Sequence, residues 1–446
     1  MLGTLSNTIL RDSVLRIPCE LLPDSMLSHF EVENKAAAHQ RTAPPTLSYI
    51  HRMGDEYWLP RNYPIRSLLP YARLEDRTVV GAPIAPPRLD ITFHAFQLSG
   101  INHVVWNPGD QILCSPCGSG KTTMGLGLIE RIPVKTLILT QTEQLLDQWR
   151  RRMQKFMDYD PGLIKGKKRD VRDITLAMVQ TLSGKPPEEY PELQDVGHVI
   201  TDECHGIAAM EWQKALWPLP AARRTGLTAT PRDDGLEPVM VYGTGEISYR
   251  ISHQELVDAG IILVPEVVHL SHRSTAYLKT KRGGELDLVK TKTEMALDAG
   301  RNDVLADVIR KCLLAGRKIL VIVERHAHVE RLVELVEAAW GPVDYGFLRG
   351  GMKPWEYEEA YEKPLIFGQL QIVKQGLDLP ELDTAIFGSP FSSHGLVEQV
   401  LGRVSRVAPN KKTPLVVDLT DTGNIMLIKM GAKRKQVYAR LGCQSR

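Results

Sequence analysis

Between Cys114 and Thr123 the chain reads CSPCGSGKTT, and two chemistries are written over the same residues. Cys114 and Cys117 have the C-x-x-C spacing of zinc ligands or of a redox pair. Ser115, Pro116, Cys117, Gly118, Ser119, Gly120, Lys121 and Thr122 have the spacing of a phosphate-cradling loop. A structural zinc wants four ligands, and no second C-x-x-C or H-x-H pair accompanies the first. The other cysteines are scattered at 19, 204, 312 and 443, which supports no disulfide framework. The phosphate reading has a local context instead. QILCSP reads as a strand, CGSG as a tight loop and KTTMGLGLIERI as the following helix. Gly118 and Gly120 let successive N–H groups face a phosphate, and the helix N-terminus adds partial positive charge. Lys121 then reaches the β- and γ-phosphates, Thr122 ligates Mg2+, and Thr123 continues the loop into the helix. Cys117 is a small neutral residue in this loop, because a thiolate there would repel a triphosphate.

Some eighty residues further on, HVITDECHG places two carboxylates at the end of an apolar run. A strand ending in Asp202-Glu203 presents them at the carboxyl edge of a sheet, where ligands of open α/β folds bind. Asp202 is the candidate Mg2+ carboxylate, and Glu203 the candidate base for an attacking water.

These residues need a sheet to hold them, and the chain supplies one twice. Apolar runs (QILCS, TLILT, ITLAM, HVITD, TGLTAT) alternate with helical stretches such as TEQLLDQWRRRMQKF, the pattern of βαβ units on a parallel sheet. The rhythm restarts after about residue 260 with KILVIV, PLIFG, TAIFGS and PLVVDL. Proline-rich stretches at 42–46 and 81–90 set off a leader that mixes a strand-like start with a helix expected over LPDSMLSHFEVENKAA. The segment SHRSTAYLKTKRGGELDLVKTK breaks the alternation and is expected to project as a basic hairpin or loop. Three regions follow: 1–88 as an accessory domain, 89–250 with the phosphate loop, and 251–446 with a basic tail.

Composition bounds the function classes. With 43% apolar and 24% charged residues the chain is expected to be a cytoplasmic globular protein. No apolar run approaches the roughly 18 residues of a membrane span. The net charge of +2 excludes no partner, since placement matters more than the total. Lys429 to Arg446 contains no acidic residue, which favours an anionic partner.

SPCGSGKTT, TDECHG, GLTATPR, QGLDLP and QVLGRVSR occur in the order and at the spacings that resemble a superfamily 2 helicase, over roughly residues 90 to 420. Within that superfamily DECH, LTATPR and SYRISHQELVDAGIILVPEV look most like the phage branch-migration (UvsW-like) helicases and related repair helicases. The resemblance implies an α/β fold: two tandem RecA-like parallel-sheet domains with a small N-terminal α+β accessory domain. It implies ATP and Mg2+ as cofactors, with Gln97 reading adenine and Gly376 and Asp378 contacting nucleotide and strand together. Gln399, Arg403 and Arg406 would complete the ATP site from the second domain; spaced by four and three, they would share one helix face. Thr228, Ala229 and Thr230 would couple hydrolysis to movement by exchanging hydrogen bonds with Asp202-Glu203. Nucleic-acid contacts are expected from TQTEQL (140–145), KGKKRD (165–170), MVQTLS (178–183) and FGQLQIVKQG (367–376). Two of these depart from the family pattern: Thr140 stands where proline is common, and FG where Ala-Thr often touches phosphate.

The expected activity is that of an ATP-dependent DNA helicase or translocase. It would unwind or branch-migrate forked or junction DNA in replication or recombination, as a monomeric motor without a membrane partner. An RNA helicase and an ATP-gated nucleic-acid clamp are the alternatives. The aromatics and arginines of GDEYWLPRNYPIRSLLPYARLEDRTV suit a duplex arm or a packed cap equally.

Overall fold

The apolar runs become strands because each is rich in β-branched and leucine side chains and is covered on both faces by helices. The structure is a computed structural model that describes residues 7–33, 46–208, 210–229, 235–273, 287–370, 372–373 and 379–446. It divides into two compact units, Met1–Ser252 and His253–Arg446.

In the first unit eight strands lie in the spatial order Lys168–Asp170, Gly162–Lys165, Ile174–Met178, Thr136–Thr140, His198–Asp202, Arg223–Thr228, Asp110–Cys114, Glu246–Arg250. All neighbours are parallel except the hairpin formed by the first two. Leu137, Leu139, Val199, Ile112 and Trp212 are among the buried residues of one core on this sheet. The strand that leads into the phosphate loop, Asp110–Cys114, is flanked on both sides, so the loop springs from the interior of the sheet. In the second unit seven parallel strands follow the order Tyr345–Leu348, Leu365–Gln369, Ile319–Val323, Thr384–Phe387, Leu415–Asp421, Glu266–His272, Gln444–Ser445.

The leader folds as a five-stranded sheet in the order His51–Met53, Glu56–Pro60, Val14–Pro18, Thr8–Arg11, Arg73–Asp76. The helix expected after residue 22 is instead a 3-10 segment, Asp24–Phe30, followed by the strand Glu31–Glu33; residues 34–37 lie outside the described set. Phe30 explains the difference. It is fully buried against Tyr49 and Tyr63, and Glu31–Glu33 pairs with Thr46–Ser48, so tertiary packing and strand pairing outcompete a helix.

A buried ion network ties the leader to the first unit's main sheet. Arg61 donates from Nε to Asp110 Oδ2 at 2.6 Å and from Nη1 to the Ala221 carbonyl at 2.6 Å. Asn62 Nδ2 reaches the same carboxylate at 2.8 Å, and Arg224 Nη2 returns to the Ser13 carbonyl at 2.6 Å. Burial pushes the Asp110 carboxyl up, but Arg61, Arg224 and Asn62 outweigh it and hold it below the usual carboxylate range. Leu236 and Val239 also enter the leader's core, beside Ile9, Leu15 and Phe30. The proline-rich segment that follows is an extended strap. Val79 N bonds Pro220 O, Ala82 N bonds Asp195 O and Lys135 N bonds Ala82 O, each within 3.0 Å. Gly81 and Gly197 cross there; a Cβ on Gly197 would fall 1.9 Å from the Val80 carbonyl.

The basic segment expected to project lies outside the described residues between 274 and 286. Its distal part is not a loop. Leu288–Ala296 is a helix, capped where the Asp287 carboxylate accepts from Lys290 N at 3.2 Å. Among the described residues no helix is long and apolar enough to cross a membrane.

Candidate nucleotide site

The phosphate loop runs from Cys114 to the helix Lys121–Arg131, as its spacing predicts. Gly118 and Gly120 adopt φ of 90° and 82°, a left-handed conformation that glycine reaches without steric cost. A side chain at residue 120 would also collide with its neighbour, since its Cβ would lie 2.7 Å from Gln97 Nε2. The loop is pinned where Ser115 N donates to the Thr228 carbonyl at 2.9 Å. Gln97 braces it from the other side, donating to the Ser119 carbonyl at 2.8 Å while its Oε1 accepts from His94 N at 3.0 Å. So the glutamine that the resemblance assigns to adenine has a loop-bracing contact here. Thr122 is buried at the helix start, and Thr123 Oγ1 accepts from Arg152 at 3.2 Å.

Asp202 closes its strand at 3% exposure. Its Oδ2 accepts from the Trp149 indole at 2.8 Å and its Oδ1 from the Glu203 amide at 3.0 Å. Burial raises the Asp202 carboxyl above its usual range, and the neighbouring Glu203 charge adds to this. Burial acts on Lys121 the other way, but the negative potential of Glu203, and with it Asp202, outweighs it and keeps the ammonium above the ordinary lysine value. The carboxylates therefore favour the charged lysine at the head of the loop. Glu203 sits at a φ of 54°, a strained conformation for a side chain of its size and one that clusters at functional sites.

His205, which the sequence reading did not single out, joins this group. Its Nδ1 lies 3.3 Å from Glu203 Oε2 and 3.4 Å from Thr228 Oγ1, so Thr228 communicates with the candidate base through an imidazole. The H of DECH was its only signal. Ala229 also touches the loop, its carbonyl 3.7 Å from Cys114 Sγ; burial raises that thiol, although Arg250 and Lys121 pull it back. Thr230, Gly376 and Asp378 lie outside the described residues.

Does the loop fit a triphosphate and its metal? Ser115 Oγ and Ser119 Oγ are buried and, among the described residues, have no hydrogen-bond partner. Unmade bonds at buried hydroxyls cost about 1–3 kcal/mol each. Two such groups beside φ-positive glycines, one ammonium and two carboxylates form a donor set that suits polyphosphate with a hard divalent cation. The residues fit.

Three of the segments expected to meet nucleic acid gather at adjacent strand ends. Gln180 Nε2 donates to the Gln141 carbonyl at 2.9 Å and Gly166 N to Thr181 Oγ1 at 3.0 Å. Lys165 Nζ pairs with Glu143 at 2.8 Å. KGKKRD is the turn and outer strand of a hairpin, with Gly166 at φ 57° and Lys167, Lys168 and Arg169 exposed. FGQLQIVKQG begins at the end of the strand Leu365–Gln369, and its residues 371 and 374–376 lie outside the described set.

In the second unit the helix His394–Val404 carries Gln399 and Arg403, with Gln399 Oε1 buried and, among the described residues, without a hydrogen-bond partner. Arg406 does not share its face. The helix stops at Val404, because Leu263 N takes the Ser405 carbonyl at 2.7 Å and Ile262 forms an antiparallel bridge with Arg406. The following Pro409 also disfavours helix at residue 408.

With this geometry established, likeness to known proteins becomes informative. The family model described as "Type III restriction enzyme, res subunit" matches residues 93–233, from the glutamine helix through the strand Arg223–Thr228 and beyond. The DNA 3'-5' translocase XPB2 of Sulfurisphaera tokodaii is 25% identical over 354 residues, 70% of this chain and 78% of that protein. The mimivirus protein L396, named an ATP-dependent RNA helicase, is 24% identical over 341 residues, 74% of this chain. The chain spans 64% of that relative's length, just under two thirds. The type ISP restriction-modification enzyme LlaBIII, solved bound to DNA, shares the fold with a TM-score of 0.57 at 15% identity, covering 79% of this chain and 30% of that one. RecA-like parallel sheets, a phosphate loop followed by a DECH strand end and the ordered motifs point one way: the chain is similar to the ATP-hydrolysing helicases of superfamily 2.

Proposed function

We propose that this protein hydrolyses ATP to move along DNA, and that it unwinds or branch-migrates forked or junction DNA in replication or recombination. The observation that carries the reading is a glycine loop with two buried serine hydroxyls that have no hydrogen-bond partner among the described residues, at a lysine on which Glu203 and Asp202 act electrostatically. The phosphates would lie on the N–H groups of residues 117–122, with Lys121 at the outer phosphates. Thr122 and Asp202 would hold Mg2+, which when bound would neutralise the charge of the phosphates. Glu203 accepts the proton of the attacking water, and His205 holds its carboxylate in place. Gln399, Arg403 and Arg406 supply the second unit's share, with Arg406 contributing on the order of 10³–10⁵ in rate.

The ridge formed by residues 140–145, 165–170 and 178–183 would track a phosphate backbone through lysine, arginine and amide donors. Binding of that kind is salt-sensitive and mostly independent of sequence. Opening a base-pair step costs about 1.4 kcal/mol, a small demand on a nucleotide-driven stroke. In this scheme residues 1–88 form the accessory domain, 89–250 and 251–446 the two motor domains, and the motor works as a cytoplasmic monomer.

The test is ATPase stimulation by single-stranded, duplex, forked and four-way DNA and by single-stranded RNA, with Glu203→Gln as the blank. Preferential stimulation by branched DNA, with strand displacement, supports the proposal. Stimulation by RNA alone moves the assignment to an RNA helicase, which the mimivirus relative's name favours. ATP-dependent binding without displacement would mark a clamp.

A further inference from the structure

The helix Glu143–Met157 buries Leu146, Trp149, Met153 and Met157 on one face. Trp149 has no exposure at all, unusual for so large a side chain. A buried indole N–H needs an acceptor, and this one uses Asp202 Oδ2 at 2.8 Å. The ring fits because residue 125, in the helix that follows the phosphate loop, is glycine. A Cβ at that position would lie 2.3 Å from Trp149 Cη2. One turn along, the same helix sets Arg152 on Thr123 Oγ1, so its inner face touches both the loop helix and the acidic strand end.

We propose that Trp149 is a positioning residue for the divalent cation: its N–H fixes the rotamer of Asp202, and Gly125 supplies the space that allows it. The inference rests on the ATP-site reading above. A carboxylate whose Oδ2 is held by the indole and whose Oδ1 is held by the Glu203 amide has its plane set, so its remaining lone pairs point in fixed directions. Outer-shell donors of this kind typically affect metal affinity by 10–100-fold. A phenylalanine would keep most of the packing and lose only the donor. An alanine at 125 would keep the donor and push the ring aside.

The experiment uses the full chain with ADP and Mn2+. Free Mn2+ is followed by electron paramagnetic resonance, and ADP affinity is measured by calorimetry with and without metal. In Trp149→Phe, Mn2+ affinity in the ADP complex should fall about tenfold, while metal-free ADP affinity stays within about twofold of the parent. Gly125→Ala should move Mn2+ affinity in the same direction and serves where Trp149→Phe fails to fold. Unchanged Mn2+ affinity in a folded variant overturns the proposal. Equal loss of ADP affinity with and without metal also overturns it, because that is the mark of general structural damage. If the parent protein binds ADP with no dependence on Mn2+, the ATP-site reading falls, and the role of Trp149 falls with it.

Discussion

Both units carry aspartates in buried parallel strands, yet they treat them in opposite ways. In the first unit Asp202 accepts only from neutral groups among its described hydrogen bonds, the Trp149 indole and the Glu203 amide, beside two buried serine hydroxyls with no partner. In the second, Asp418 takes the Arg434 guanidinium at 3.0 Å on both oxygens and the Tyr438 hydroxyl at 2.8 Å. Asp421 takes Arg301 Nε at 2.9 Å, and the same guanidinium donates to the Gly388 carbonyl at 2.7 Å. One aspartate is held by neutral donors, and the other two are neutralised by guanidinium groups. The difference teaches that position in a RecA-like sheet does not by itself leave a carboxylate open to a ligand; the side chains packed against it decide.

Under the proposed function the second unit contributes cations to chemistry and no carboxylates. The largest effect is then expected at Arg406. Arg406→Ala should lower kcat by about 10³–10⁵ with ATP affinity largely kept, as steady-state hydrolysis and nucleotide titration would show. Normal turnover would remove the second unit from the reaction. Glu203→Gln tests the open edge itself. A loss of about 10²–10⁴ in kcat is expected, with an unchanged thermal transition, because the residue acts on the attacking water and not on packing. A large drop in melting temperature would make Glu203 structural.

The closed edge should behave in reverse. Arg434→Ala leaves the buried Asp418 without its guanidinium and should cost about 3–5 kcal/mol in urea unfolding, with ADP affinity below the transition unchanged. A stable variant with impaired nucleotide binding would dissolve the contrast.

The smallest effect concerns pH. Burial, and then the charge of Arg301, lower the His328 pKa to about 3, and its Nε2 lies 3.0 Å from Asn302 Oδ1. The unfolded imidazole keeps its ordinary value of about 6.5. As pH falls below that value the unfolded chain binds the proton first, so stability is lost progressively between about 6.5 and about 3. His198 in the first unit, lowered to about 3 by burial and Arg223, acts in the same direction. Denaturation at pH 7 and pH 5 should show a loss of about 1–2 kcal/mol per histidine, reduced in His328→Gln.

Legibility differed from place to place for identifiable reasons. The phosphate loop was readable because its chemistry is local: glycines at 118 and 120 and a lysine at a helix start sit within a few residues. The same holds for Asp202-Glu203 at a strand end. Trp149 was quoted only as part of a helix, since nothing in its neighbours reveals an acceptor 53 residues away. The expected common face of Gln399, Arg403 and Arg406 failed at its last member. Backbone pairing with Ile261–Leu263, distant in sequence, ends the helix before Arg406. The leader's expected helix gave way to a 3-10 turn for a similar reason, a buried Phe30.

By itself the sequence determined the period of its elements, the α/β class, the strand–loop–helix that sets Lys121 and the strand end that sets Asp202-Glu203. Those properties belong to short stretches, where spacing along the chain is spacing in space. Tertiary structure alone decided which partner each aspartate meets. Trp149 reaches Asp202 across 53 residues of sequence and Arg301 reaches Asp421 across 120. Desolvation then separates the two, because burial raises the Asp202 carboxyl above its usual range despite the nearby Lys121, whereas Arg434 bonds Asp418 directly.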